Sequence, residues 1–351
     1  MPVDVLIVGQ GLAGSILAWE LIQQQFRVMV IDSGDENASQ VAAGLINPVT
    51  GQRLVKTNDI DDLLPAAMAF YRQLAETFKQ QFFTPLPMLR ILRSLREQEI
   101  AHRRLSDIAY QAFLKNYQMD VSGINSPLGF LEQQQTGYLR TGLLLETMRE
   151  FLLANASYRQ ARMDYAEIVF QPNLRWRDLQ PKHIVFCEGH HAIQNPWFGK
   201  LPFQPVKGQI IRCHTDNAFP EQILNYGNWF IPLDKQHFKV GATFEPGIID
   251  TKPTEQARQR LLQGLIKVCP GLAPIKVIAH QAGIRPATLD KQPFIGPHPR
   301  YPNLHVFNGF GAKGSLAIPQ CARRFVAALQ QKASLPSYCH IQRYDQTYFT
   351  V

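Results

Sequence analysis

No run of the sequence is apolar for long enough to cross a membrane: nothing in its 351 residues approaches the roughly 18 consecutive apolar residues a span requires. The N-terminal apolar run lacks a preceding basic region and reads as a strand, so no secretory signal is expected. Cysteine is scarce. Cys187, Cys213, Cys269, Cys321 and Cys339 are scattered, odd in number and form no C-x-x-C. That argues against a disulfide framework or a zinc site and for reduced thiols in a cytoplasmic protein. The 10 histidines include no H-E-x-x-H, and the one adjacent pair, His190-His191, reads as loop residues after a strand. No metal site is expected. Internal repeats are absent, and the glutamine runs at 23–25 and 133–135 are short.

Acidic residues are in the minority. Asp and Glu number 28 against 36 Lys and Arg, a net charge of +8. Such a balance suits nucleic acid, anionic lipid or an acidic substrate, and equally an ordinary cationic enzyme. One basic cluster stands out: Arg90, Arg93, Arg96, His102, Arg103 and Arg104. The spacing of three among its first members would line one face of a helix. A solvated face is the simpler reading and a phosphate-tracking surface the alternative. Charge of 18% and hydrophobic content of 45% fit a globular chain able to bury one large core or two modest ones.

What the chain does have is glycine where it matters. Val3 to Val8 is an apolar, β-branched run ending at Gly9-Gln10-Gly11-Leu12-Ala13-Gly14, a G-x-G-x-x-G. Helical spacing follows at Ile16, Leu17, Leu21 and Ile22, then a second apolar run, Val28 to Ile31, ending on Asp32. Strand, glycine turn, helix, strand and acid form a dinucleotide-binding pattern. Gly9 permits the tight turn, Gly11 lets a pyrophosphate approach the backbone, and Gly14 lets the helix pack against the sheet. The helix N-terminus offers N–H groups to the phosphates, and Asp32 stands where an acid accepts ribose hydroxyls. The alternative is a glycine turn in an ordinary βαβ unit.

Further along, Ala42 to Gly51 is a small-residue loop that a ligand could approach closely. Helical spacing covers residues 60–80, and residues 97–117 look helical and charged. The middle, from Pro205 to Thr243, is dense in short strands, and Thr254 is a plausible cap for a helix reaching Cys269. A last strand, Leu304 to Phe307, feeds Asn308-Gly309-Phe310-Gly311-Ala312-Lys313-Gly314-Ser315 and a closing helix. Glycine turns at both ends and a strand-rich middle predict a discontinuous layout. Residues 1–80, 138–200 and 278–351 would form the dinucleotide domain, and 81–137 with 201–277 a substrate domain.

Several stretches together resemble the D-amino-acid oxidase superfamily of FAD-dependent oxidoreductases. The subset is that of glycine oxidase, sarcosine oxidase and the oxidase half of the bifunctional tRNA 5-methylaminomethyl-2-thiouridine enzyme. The resemblance rests on the fingerprint at Val5–Gly14 with Asp32, on Ala42-Ala43-Gly44-Leu45, and on Tyr138 to Thr147. It continues through Ile184 to Gly189, Pro205-Val206-Lys207-Gly208-Gln209, and Asn228 to Pro232 with Val240-Gly241-Ala242-Thr243. It closes on Gly283-Ile284-Arg285-Pro286-Ala287-Thr288, Pro293-Phe294-Ile295-Gly296, and Asn308 to Pro319. It covers nearly the whole chain and is weakest over residues 82–135.

The resemblance implies an α/β fold: a Rossmann-like FAD-binding domain of the GR2 type with an interleaved α+β substrate domain on a mostly antiparallel sheet. FAD would be bound by Gly9, Gly11, Leu12, Ala13, Gly14, Asp32 and Ser33 at one end. Ala42, Ala43, Gly44 and Leu45 would lie along the flavin, with Val169 and Gly189 beside the nucleotide. Gly309, Gly311, Ala312, Lys313, Gly314 and Ser315 would close over the ring edge. Arg285 is implied both to touch the cofactor side and to grip a substrate carboxylate, which a planar guanidinium does with two parallel bonds. Phe230 falls where relatives carry an active-site tyrosine, with Tyr226 or Trp229 as substitutes. Lys239 stands where a lysine could promote reaction with oxygen, or else faces outward on an alternating strand. Gly283 replaces a cysteine of covalent-flavin relatives, so FAD is expected to be non-covalent. The expected activity is oxidation of a C–N bond of a small-molecule amine, an amino acid or N-substituted glycine, by hydride transfer to flavin N5. A carboxymethylaminomethyl group of modified tRNA is one alternative substrate. A non-catalytic flavin-binding module is the other reading.

Overall fold

The computed structural model describes residues 2–344 and 348. Its first layer is a six-stranded sheet in the order Tyr158–Gln160, Val28–Asp32, Pro2–Val8, Gln180–Phe186, Leu304–Asn308 and Phe294–Pro297. The first five run parallel and the last is antiparallel. Val5, Leu6 and Ile7 are fully buried, as expected of a parallel strand covered on both faces, and this explains a continuous rather than alternating apolar run. On one face, Leu12–Gln23, Ile60–Phe78, Thr141–Ala154 and Gly314–Leu329 pack into a shared core with Leu17, Leu21, Phe70, Leu144 and Phe325.

The second layer is a nine-stranded sheet. Its path runs Glu245–Pro246, Val206–His214, His237–Gly241, Trp229–Pro232, Ile223–Asn225, Met88–Ile91, Phe130–Gln133 and Leu114–Gln118, and Lys276–Arg285 also pairs with Val206–His214. Every pair is antiparallel except Ile223–Asn225 with Met88–Ile91. One face packs on the helix Glu255–Val268 through Leu224, Phe230, Phe238, Val240, Leu261 and Leu265. The other face, carrying Gly208, Ile210, Trp229 and Arg285, turns toward the first layer.

The expected layout places residues 278–285 in the dinucleotide domain. In the structure Lys276–Arg285 lies against Val206–His214, with Gly208 opposite Gly283 and Val206 opposite Arg285. Its first six residues are not buried, so the backbone ladder holds it there and no apolar stripe announces it.

The arginine cluster does not form one helical face. Arg90 is in a strand, and the helix begins only at Leu95, where the Ser94 hydroxyl accepts the Glu97 N–H at 3.2 Å. Arg90 and Glu97 are both buried and paired at 3.3 Å. Arg93 reaches the same carboxylate at 3.2 Å. Arg104 stacks over the Tyr110 ring and pairs with Asp107. No helix among the described residues is long and apolar enough to cross a membrane.

Candidate active site

The two layers enclose one cavity of about 1020 Å³. At its first end, the fingerprint is built from backbone. The N-cap of Leu12–Gln23 is Gly11, which provides no side-chain cap, so the positive end of the helix opens into the cavity. Gly9 has φ +102°, and a side chain at Gly14 would overlap the Gly9 carbonyl oxygen. Gly14 therefore does not line the cavity. It lets the helix approach the turn, while Gly9, Gly11, Leu12 and Ala13 face the space.

Asp32 Oδ2 accepts the Gln10 N–H at 2.7 Å, and Oδ1 accepts the Gly34 N–H at 2.8 Å. A carboxylate offers about four acceptor directions, so Asp32 keeps capacity for ribose hydroxyls. Ser33, Gly189, Tyr165 and Glu188 complete this end. The Tyr165 hydroxyl and the Asn195 amide donate to the Glu188 carboxylate at 2.7 and 2.8 Å. Burial pushes that carboxyl up to about 7, against these two hydrogen bonds. Burial also pushes His190 down to about 4 and lowers His191, so both rings are neutral at neutral pH.

Ala42, Ala43, Gly44 and Leu45 form one side of the middle, and Gly309, Gly311, Ala312, Lys313, Gly314 and Ser315 the other. Here a second helix, Gly314–Leu329, points its N-terminus into the cavity, again without a side-chain cap. The buried Tyr71 hydroxyl donates to the Ser315 carbonyl at 2.6 Å and fixes its first turn. Lys313 is held below its ordinary pKa by burial and by the neighbouring Lys291.

Arg285 closes the far end. Its guanidinium lies flat on Gly208, where any side chain would overlap it. Its nearest protein acceptor is the Thr243 carbonyl, at 3.4 and 3.5 Å. Among the described residues no carboxylate lies within ion-pair distance of it. Behind it, Thr243 Oγ1 accepts the Gln209 N–H at 2.9 Å and donates to Glu245 at 2.5 Å, and Gln209 Nε2 donates to Glu245 at 3.0 Å. Burial lowers the pKa of Arg285, and Glu245 partly offsets this.

Besides Gly14, four expected site residues are not at the cavity. Phe230 is fully buried on the opposite face of the sheet, against Phe219 and Phe238. Tyr226 belongs to the same core, its hydroxyl without a hydrogen-bond partner. Strand alternation is the reason: a shift of one residue exchanges faces, and Trp229 takes the cavity side. Lys239 is on the facing side but pairs with Arg212 and Ile231, two residues beyond Gly241, about 7 Å further along the strand. Val169 pairs with Arg175 in a separate two-stranded ribbon and is outside the lining. The sequence reading did not single out Asn225, Phe244 and Leu289, which do line the cavity. Alternation through Phe238-Lys239-Val240-Gly241 was the available signal for the facing side.

A parallel sheet with a glycine fingerprint, a second helix N-terminus and an arginine on a facing antiparallel sheet defines a dinucleotide-dependent oxidoreductase of the two-layer type. The chain belongs to the FAD dependent oxidoreductase (DAO) family, whose model matches residues 4–328. A glycine oxidase of Pseudomonas putida is 26% identical over 356 residues, covering 94% of this chain and 95% of the relative. The bifunctional tRNA 5-methylaminomethyl-2-thiouridine biosynthesis protein of Idiomarina loihiensis is 22% identical over 90% of this chain, which spans about half (54%) of that protein. The crystal structure of glycine oxidase from Geobacillus kaustophilus superposes with a TM-score of 0.82 at 19% identity, covering 95% of this chain and 96% of that one. The fold is thus that of the glycine oxidase structures.

Proposed function

We propose that the protein oxidises the C–N bond of an amino acid or N-substituted glycine, with FAD held non-covalently. The observation that carries this reading is Arg285. A half-buried guanidinium with two long bonds to one carbonyl and, among the described residues, no acid within ion-pair distance is costly unless an anion completes it. A substrate carboxylate does so with two charge-assisted bonds. Gly208 leaves room for the guanidinium, and the Thr243–Gln209–Glu245 network holds the connecting segment that carries its acceptor.

FAD, when bound, supplies the hydride acceptor. Asp32 and the two helix N-termini, the first with its Leu12 N–H already donated to the Ser39 hydroxyl at 3.0 Å, are the groups that would hold its ribose, its pyrophosphate and the electron-rich edge of its ring. Gly283, facing Ala38 and Val41, brings no thiol, which supports non-covalent binding. The acids lining the cavity are Asp32, Asp35, Glu36 and Glu188, all from the dinucleotide end. Beyond the dinucleotide end the lining charges besides Arg285 are Lys291 and Lys313, which disfavour an ammonium and favour a neutral amine. The five cysteines are buried free thiols, in keeping with a reducing compartment.

The tRNA reading loses part of its motivation, because Arg90 and Arg93 pair with Glu97, while the net charge of +8 remains. The test is an anaerobic screen of amino acids and N-methyl amino acids against the purified yellow protein. Bleaching of the flavin band by at least one of them is expected. A protein that takes up FAD and is bleached by none of them would refute the reading.

A further inference from the structure

We propose that the substrate carries a bulky apolar substituent beside its carboxylate and amine, and that glycine is a poor substrate. The proposal rests on the amino-acid reading above and specifies the substrate class of the same site. It starts from the walls around Arg285. The Trp229 ring covers Gly241 at contact distance beside Ile210. Phe244 directly follows Thr243, the residue whose carbonyl receives the guanidinium. Phe244 is 70% exposed and Leu289 61% exposed, yet both line the cavity. Large apolar side chains left in water at a cavity mouth mark a surface that gains by being covered.

The polar groups nearby do not compete for that role. Asn225 Oδ1 already accepts from Arg90 at 3.1 Å and from the Gly227 N–H at 3.4 Å. Lys291 and Lys313 repel a cationic side chain. An amino acid anchored on Arg285 therefore has its carbon or nitrogen substituent among Trp229, Phe244 and Leu289. Glycine would leave that apolar surface wet.

The experiment uses the FAD-loaded protein and two readouts. The first is the flavin absorbance change on titration with the non-oxidisable probes acetate, phenylacetate and succinate. Phenylacetate should bind at least roughly tenfold more tightly than acetate, the discrimination one or more buried apolar groups provide. Phe244→Ala should reduce that ratio to within about threefold, and Phe244→Leu should restore part of it. Because Phe244 is exposed, its truncation leaves the core intact. The second readout is the anaerobic bleaching rate with glycine against phenylalanine, leucine and N-benzylglycine, both enantiomers where they exist. Faster bleaching by the apolar set supports the proposal. Acetate binding as tightly as phenylacetate, succinate binding most tightly, or glycine bleaching fastest would each overturn it while leaving the amino-acid reading intact. Failure of every amino acid to bleach the flavin would instead remove the broader reading and this one with it.

Discussion

The two ends of the cavity are made of different material. The dinucleotide end is built from backbone: a turn with φ +102° at Gly9, a helix laid against it at Gly14, and N–H groups pointing into the space. The substrate end is built from side chains standing on a sheet, with Arg285, Trp229 and Phe244 on three different segments. A backbone site is fixed by local geometry, and any Cβ in the wrong place destroys it. A side-chain site is fixed by register, so its parts can be exchanged one at a time while the frame survives.

The sharpest way to break this comparison is to add one methyl group at each end. At Gly14 the new Cβ overlaps a carbonyl oxygen that cannot move. Gly14→Ala is therefore expected to give protein without bound flavin, read from the 450 nm to 280 nm absorbance ratio, and with lowered thermal stability. At Gly208 the new Cβ overlaps the end of a flexible side chain. Gly208→Ala should keep the flavin and raise KM for the carboxylate substrate. Equal flavin loss in both variants would dissolve the distinction.

Arg285→Leu comes next. It removes two charge-assisted hydrogen bonds, worth about 1.5–3 kcal/mol each, so kcat/KM should fall by roughly two to four powers of ten with flavin content unchanged. A fall under tenfold would show that the carboxylate sits elsewhere.

These variants also show how much the sequence disclosed. The fingerprint, Asp32, the loop at Ala42 and the closing glycines were legible because glycines at fixed spacing carry their geometry with them. Arg285 was legible through its neighbours Gly283 and Pro286. Phe230 was misplaced because strand faces alternate with a period of two and its register was uncertain by one residue. Phe244 went unnoticed because nothing local marks an exposed phenylalanine as a cavity wall. The one-face reading of the arginine cluster holds only for a helix, and a strand, Met88–Ile91, stands at Arg90, while a single buried acid, Glu97, collects two of the cluster's members.

That acid gives the third prediction. Arg90 spans Glu97 and Asn225 at 3.3 and 3.1 Å, and so ties the side-chain end of the cavity to the sheet beneath it. Removing Arg90 leaves Glu97 held only by the half-exposed Arg93, at up to about 3–5 kcal/mol. Arg90→Met should lower denaturation free energy by that amount, whereas Arg103→Met, on an exposed helix position, should change little. Equal effects would mean that the cluster is a solvated face after all.

Glu188 provides a smaller effect at the backbone end. Its carboxyl is raised from 4.5 to about 7 by burial, so the folded state holds the proton more tightly than the unfolded chain. Stability from this group is complete below pH about 4.5 and is lost as pH rises through about 7. Glu188→Gln should flatten that part of the melting-temperature profile, by roughly 3 kcal/mol across the window. An unchanged slope would place the carboxylate in water.

The smallest effect is the most discriminating for the sheet register. Lys239 shares the cavity-facing side with Gly241, opposite Arg212 and Ile231. At two residues beyond Gly241 it is about 7 Å too far along the strand to touch a ligand held by Arg285. A lysine that assisted oxygen from beside the flavin would, when neutralised, slow reoxidation by far more than the anaerobic reductive half-reaction. Lys239→Met should instead leave both half-reactions within about twofold, since its long-range charge is screened over roughly 10 Å at ordinary ionic strength. A tenfold loss confined to reoxidation would move the strand's register by two residues and with it the whole side-chain end of the cavity, while leaving the glycine-built end where it is.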